Sequence, residues 1–323
     1  MKGSDEPVRA TVFGRVLSDG GFWADWAVVI GLAVMLVVFQ FADPTYLSSG
    51  NISSILVASA ILVVLSLGQT FVVLTGGIDL SVASVMTFSA VLFGLGVRNG
   101  WSIVGCGLLA VLGGALFGAV NGLLIGRVRV TDFVVTLGGL SAASGLALIV
   151  ADGKPVTVVD AGLLKLAAGG FGGVGGAVLV AGTLAILAHL VLFRTQWGTH
   201  VLAVGGSPEA AVATGISVAA IKIAVYTVCG TLAGSASILL VARVGAAEPA
   251  ANTSFLLNSV AAVVLGGASL AGGRGNIVGP VLGALLLTAL SNGLTMLGVS
   301  PFYQPVAVGV VVVLAAILTR FRT

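Results

Sequence analysis

Charge is what this chain has least of. Only 8% of its 323 residues are Asp, Glu, Lys or Arg, against 58% hydrophobic, where a water-soluble domain carries roughly a quarter charged residues. That balance excludes a soluble globular protein and leaves an integral membrane protein. Cysteine is scarce too. Cys106 and Cys229 both lie in apolar runs and read as small buried hydrophobes, not as a disulfide or metal ligands. His189 and His200 have no second ligand and no nucleophile at useful spacing, so no catalytic residue and no metal site is expected. No G-x-x-x-x-G-K-[ST] occurs, so the chain does not itself hold a nucleotide through a P-loop. Gly170-Phe171-Gly172-Gly173-Val174-Gly175 fits G-x-G-x-x-G but lacks a βαβ context and reads as a flexible loop. The net charge of +3 comes without a basic patch interleaved with aromatics, which argues against a nucleic-acid partner.

Long apolar runs and glycine are what the chain has instead. Candidate spans fall at roughly 26–42, 52–74, 78–97, 101–125, 131–150, 174–193, 218–242, 255–271, 276–297 and 302–319. Their length favours helices over the alternating segments of about ten residues found in a membrane β-barrel. The expected fold is an all-α membrane protein, a polytopic bundle of about ten transmembrane helices with broken or re-entrant segments. Residues 1–25 are polar and mixed in charge, and no small-residue cleavage site follows the first apolar run. They read as a cytoplasmic tail before an uncleaved span, with 26–323 as a single membrane domain.

Basic residues set the orientation. With the N-terminus in the cytoplasm, Lys2, Arg9, Arg15, Arg127, Arg129, Arg194, Arg274, Arg320 and Arg322 lie inside, while Arg98, Lys154, Lys165 and Arg243 lie outside and Lys222 sits near the inner boundary. Both termini are then cytoplasmic. Residues 151–173 form the longest exterior loop, 243–254 a second exterior surface, and 194–217 a cytoplasmic loop. Lys154, Asp160, Lys165, Arg243 and Glu248 are the candidates for an extracellular partner.

Four places carry the functional signal. Ser207-Pro208-Glu209-Ala210-Ala211-Val212-Ala213-Thr214-Gly215 reads as a short isolated helix, with Ser207 as N-cap, Pro208 at the first helical position, Glu209 facing the positive end of the dipole, and Gly215 closing it in a left-handed conformation. So few residues cannot hold a helix alone in water, so this one leans on something. Gly76 and Gly77 break the second span, and Asp79 follows among apolar residues. A carboxylate at membrane depth is a functional candidate; alternatively Asp79 or Ser81 caps the next helix. The eighth span is interrupted early at Asn258 and Ser259 and late at Gly266-Gly267 and Gly272-Gly273-Arg274, which suggests a kinked or re-entrant segment. Finally, Gly114, Gly118, Gly122 and Gly126 recur every four residues, with a shorter stripe at Gly279 and Gly283, as close helix contacts require. Asn121-Gly122-Leu123 and Asn292-Gly293-Leu294 hint at an inverted internal repeat.

Several phrases together resemble a known family: Leu74-Thr75-Gly76-Gly77-Ile78-Asp79-Leu80-Ser81, Phe133-Val134-Val135-Thr136-Leu137-Gly138, Ala203 through Ala211, and Ala262 through Gly275. The chain is similar, from about residue 50 onward, to the binding-protein-dependent permease subunits of bacterial ABC sugar importers of the ribose, xylose and galactose type. The resemblance implies a permease dimer, commonly of identical subunits, a cytoplasmic ATPase that often has two fused nucleotide-binding halves, and an exported sugar-binding protein. ATP and Mg would be used by that ATPase, with no cofactor in this chain. It also implies that Ser207, Pro208, Glu209, Ala210, Ala211, Val212 and Gly215 form the coupling helix. Gly76, Gly77, Asp79, Ser81, Asn258, Gly266, Gly267 and Arg274 are then candidates for the translocation path in the inner membrane. Two departures stand out: Val212 where relatives often have a basic residue, and Asp132 where they commonly have proline. A nucleoside, polyol or branched-chain amino acid is the alternative solute. An ion-coupled transporter is the alternative class, with Asp79 as its lone titratable candidate.

Overall fold

The computed structural model describes residues 20–168, 170–171, 174–250 and 253–320. The charges of the N-terminal tail up to Asp19, Gly172, Gly173 and Arg322 lie outside the described residues. Among the described residues the helices are α1 Gly20–Ala42, α2 Ser49–Leu74, α3 Val82–Arg98, α4 Ile103–Gly126, α5 Asp132–Val150, α6 Ala161–Ala168, α7 Gly176–Arg194, α8 Gln196–Gly206, α9 Pro208–Ala213, α10 Val218–Val244, α11 Thr253–Leu265, α12 Val278–Met296 and α13 Gln304–Arg320. Two antiparallel pairs of two-residue strands accompany them: β1 Val156–Thr157 with β4 Ala246–Ala247, and β2 Gly170–Phe171 with β3 Val174–Gly175.

Six helices, α2, α4, α5, α7, α10 and α12, are long and apolar enough to cross a membrane. The other four expected spans correspond to α1, α3, α11 and α13. Two of these, α3 and α11, are shorter than expected, at 17 and 13 residues, and the shortening has a visible cause. The expected span at 78–97 starts only at Val82, because Gly76 adopts φ +70° and turns the chain before helix can resume. The expected span at 255–271 stops at Leu265, because Gly267 takes φ +80°. Asn258 and Ser259 do not interrupt that helix, contrary to expectation. Ser259 Oγ donates to Leu256 O, which satisfies the hydroxyl inside the helix.

The core forms around α2. Every residue from Ser59 to Leu74 is buried, as a helix apolar on all sides must be. The helix α4 shows how the glycine stripe works. A Cβ at Gly114 would collide with Gly230 O of α10, one at Gly118 with Tyr226 O, and one at Gly122 would lie 2.7 Å from Ile223 Cα. Only glycine lets these two backbones meet. On the opposite face Leu108, Leu112 and Leu116 are exposed, as a lipid-facing surface requires. The stripe therefore packs within one chain. Gly279 and Gly283 do the same for α12 against Gly266, just past α11, and Ala262 of α11.

The same succession of forms occurs twice. A long helix (α2, then α10) ends at a left-handed glycine (Gly76, φ +70°; Gly245, φ +74°) and is followed by an irregular break, then by a short helix (α3, then α11). Asn121 and Asn292 lie on the corresponding helices α4 and α12. The helix α2 runs toward the end of the bundle that carries α9, and α10 runs away from it, so the second copy is inverted.

Candidate functional site

At the α9 end, the short helix forms as its caps dictate. Ser207 Oγ accepts from Ala210 N at 3.1 Å and donates to Glu209 Oε2 at 3.2 Å, Pro208 occupies the first position, and Gly215 takes φ +86°. Ala211 is buried, whereas Pro208, Glu209, Ala210 and Val212 are exposed. The helix is not isolated, however. It is preceded by α8, which the sequence reading took for loop. Trp197 of α8 lies against Phe71 of α2 with ring centroids 5.4 Å apart. A hollow of about 720 Å³ runs beside α9, walled by Arg129, Glu209, Val212 and Lys222 among others.

The anchor of α8 is a meeting of three backbones. A Cβ at Gly205 would overlap Leu74 O, the last carbonyl of α2. Gly273 N donates to that same oxygen at 2.9 Å. Gly272 and Gly273 take φ +87° and +73°, and a Cβ on Gly272 would come within 2.8 Å of Gly76 N and 2.7 Å of Gly205 O. The end of α8, the end of α2 and the 266–277 segment thus meet backbone to backbone, with no side chain between them. Arg274 is exposed on this segment, and its carbonyl accepts from Ser269 N at 2.9 Å.

Next to this joint lies the break at Thr75–Ser81. Asp79 is 2% exposed. It sits level with Gln69, five residues and so about 7 Å inside the end of α2, since Gln69 Nε2 donates to Asp79 O at 3.3 Å. Asp79 Oδ1 accepts from Ser81 N at 2.8 Å and from Ser81 Oγ at 2.6 Å, and Asn121 Nδ2 donates to Ser81 Oγ at 2.9 Å. Neither candidate caps α3 with its side chain: Ser81 makes no side-chain cap bond, and Asp79 Oδ1 bonds Ser81 N in a turn that precedes the helix.

The other backbone groups of the break find partners that sequence reasoning had not assigned. Asp132 Oδ2 accepts from Ile78 N at 2.9 Å, Tyr226 Oη donates to Ile78 O at 3.4 Å, and Lys222 Nζ donates to Thr75 O at 3.3 Å. Irregular backbone at membrane depth persists only when enclosed and bonded in this way. The signal available was polar residues inside apolar spans, namely Gln69, Asn121 and Tyr226, with Lys222 and Asp132 near helix starts. Asp132, a departure from the resembled family, thus has a definite use.

At the opposite end, the two expected exterior segments form one surface. β1 and β4 pair Val156 with Ala247 and Thr157 with Ala246, and Val158 N donates to Gly245 O at 2.9 Å. The 151–173 stretch is more than a loop, since Asp160 Oδ1 accepts from Gly162 N and Leu163 N and caps α6. Lys154, Lys165, Arg243 and Glu248 are exposed on this surface. The candidates therefore divide into three groups: the α9 surface, the joint and break beside it, and the β1–β4 surface. Asn258 belongs to none of these and lines a cavity between α11 and α12.

A bundle of apolar helices with an enclosed break, an exposed short helix joined to it through α8, and a structured surface at the far end fits a multi-pass membrane permease. The match with known proteins agrees. The chain belongs to the family described as branched-chain amino acid transport system, permease component, which matches residues 51–317. It is 36% identical over 296 residues to the ribose import permease protein RbsC of Bacillus subtilis, covering 91% of this chain and 92% of that protein. It is 36% identical over 317 residues to RbsC of Escherichia coli K12, covering 95% and 97%, and 31% identical over 304 residues to the D-allose transport system permease protein AlsC of the same strain, covering 93% and 92%. No solved structure matches the chain.

Proposed function

We propose that this chain is the transmembrane permease subunit of an ATP-binding-cassette importer that carries a monosaccharide across the bacterial inner membrane. The carrying observation is the exposed, capped α9 helix, joined backbone to backbone through Gly205, Leu74 and Gly273 to the break at Gly76–Ser81. In this reading both termini and α9 face the cytoplasm, and all ten apolar helices belong to the membrane domain. A separate tandem ATPase, which uses ATP and Mg, receives Glu209, Ala210 and Val212. Closure of its two halves moves α9. The joint passes that motion to α2 and to the 266–277 segment, and the path between two copies of this chain changes the side to which it opens. The β1–β4 surface, with Lys154, Lys165, Arg243 and Glu248, receives an exported sugar-binding protein.

Relatives named for ribose and allose, each matched over more than 90% of both chains, support a sugar as solute. The family description names branched-chain amino acids, so leucine is the control. The experiment is reconstitution in proteoliposomes with the ATPase and binding protein of the same transport system. ATP hydrolysis and uptake stimulated by ribose, allose or arabinose and not by leucine support the reading. Leucine uptake without sugar uptake overturns it.

A further inference from the structure

At the end of the bundle away from α9, a cavity of about 340 Å³ opens between α2, α10, α11, α12 and α13. That volume lies in the range of small-molecule sites, roughly 300–1,000 Å³. Its lining is polar for an apolar protein: Arg243, Asn258, Thr288, Ser291, Asn292 and Gln304 all reach it. Such side chains inside membrane helices are costly and mark functional surfaces.

Their bonding sorts them into two sets. Asn292 is committed to the fold, since it exchanges reciprocal 3.0 Å hydrogen bonds with Asn51 and ties α12 to α2. Gln304 Nε2 donates to Thr295 Oγ1 at 2.9 Å and ties α13 to α12. By contrast, Asn258, Thr288 and Ser291 make no side-chain hydrogen bond among the described residues. On α10 the comparable hydroxyls do: Thr227, Thr231 and Ser235 each donate to the carbonyl four residues back. Asn258, Thr288 and Ser291 thus hold donor and acceptor capacity in reserve, on a wall that Asn292 and Gln304 keep rigid.

The chemistry of the lining selects the occupant. No carboxylate lines the cavity, so an amino acid's ammonium group would find no counter-charge there. Amide and hydroxyl groups suit a solute rich in hydroxyls, to which they both donate and accept, and the Arg243 guanidinium adds further donors to its oxygens while repelling a cation. The cavity also continues. Asn258, Ser291 and Gln304 border a second, mainly apolar groove of about 800 Å³ that reaches Ile78 and Leu80 of the enclosed break.

We propose that this chamber is the permease's own contact site for a neutral polyhydroxylated solute, with Asn258 and Ser291 forming a selective neck toward the break. The proposal rests on the transport reading above. Its test uses proteoliposomes holding the complete complex and radiolabelled ribose, allose and arabinose. Asn258→Leu should cut uptake of the transported sugar about ten-fold or more, as expected for losing about 1.4 kcal/mol or more of hydrogen bonding. Hydrolysis stimulated by the binding protein should persist, because neither α9 nor the β1–β4 surface is touched. Asn258→Gln should recover most of the uptake, and the near-isosteric Thr288→Val should lower it in the same direction. Wild-type uptake by Asn258→Leu overturns the chamber, and so does joint loss of uptake and hydrolysis with no recovery in Asn258→Gln. Absence of uptake of all three sugars by the wild type overturns the transport reading, and the chamber with it.

Discussion

Asp79 and Glu248 occupy matching places and lead opposite lives. Each lies three residues beyond a left-handed glycine that ends a long helix, Gly76 after α2 and Gly245 after α10. Asp79 is buried and bonded, and the backbone around it is held by Asp132, Lys222, Tyr226 and Gln69. Glu248 is exposed, and the backbone just before it is held by a strand pair with Val156 and Thr157. One break is fastened by side chains from neighbouring helices, the other by backbone pairing with the Glu248 side chain exposed. A fold that repeats its elements in inverted order can therefore close the same break in two different ways, and the proposed function gives the two ends different roles.

Substitutions at the two carboxylates should separate the two roles. Asp79→Leu leaves Ser81 N and the Ser81 hydroxyl without their acceptor in an apolar interior. The cost is about 2–6 kcal/mol, at roughly 1–3 kcal/mol per orphaned group. Thermal unfolding in detergent should show a large fall in Tm, whereas an unchanged Tm would mean that Asp79 is not the fastener. Next in size are the glycines. Gly76→Ala and Gly245→Ala each force a Cβ into a left-handed backbone, at about 1–2 kcal/mol. Gly76→Ala carries an added contact, because its Cβ would lie 3.3 Å from Ala271 O. Its loss in Tm should therefore be the greater of the two. The smallest stability effect belongs to Glu248→Lys, within about 0.5 kcal/mol as for other surface changes. Its effect should appear in the affinity of the binding protein, read by titrating stimulated ATP hydrolysis, with Tm unchanged.

Local rules made much of this legible. The cap at Ser207, the left-handed Gly215, the helix stop at Gly266-Gly267 and the α4 glycine stripe all follow from residues within a turn or two of each other. What the sequence concealed was long-range. Lys222 reaches a carbonyl 147 residues away, Tyr226 one 148 residues away, and Asp132 an amide 54 residues away. No spacing within one segment announces such partners. The helix α8 was missed for a different reason. Its sequence, Gln196 to Gly206, contains three glycines that lower helix propensity, two of which, Gly198 and Gly205, sit where a Cβ would strike Leu192 O and Leu74 O. The union of residues 151–173 with 243–254 was likewise invisible, because each strand is only two residues long.

In the proposed cycle α9 drives the break through the Gly205–Leu74–Gly273 joint. Glu209→Lys tests it most directly, because Glu209 is exposed and, among the described residues, its side chain bonds only to Ser207 Oγ. In proteoliposomes with the ATPase and binding protein, ATP hydrolysis and sugar uptake are measured on the same sample. The expected result is hydrolysis that continues while uptake per ATP falls about ten-fold or more, with Tm unchanged. Uptake per ATP equal to that of the wild type would contradict the account.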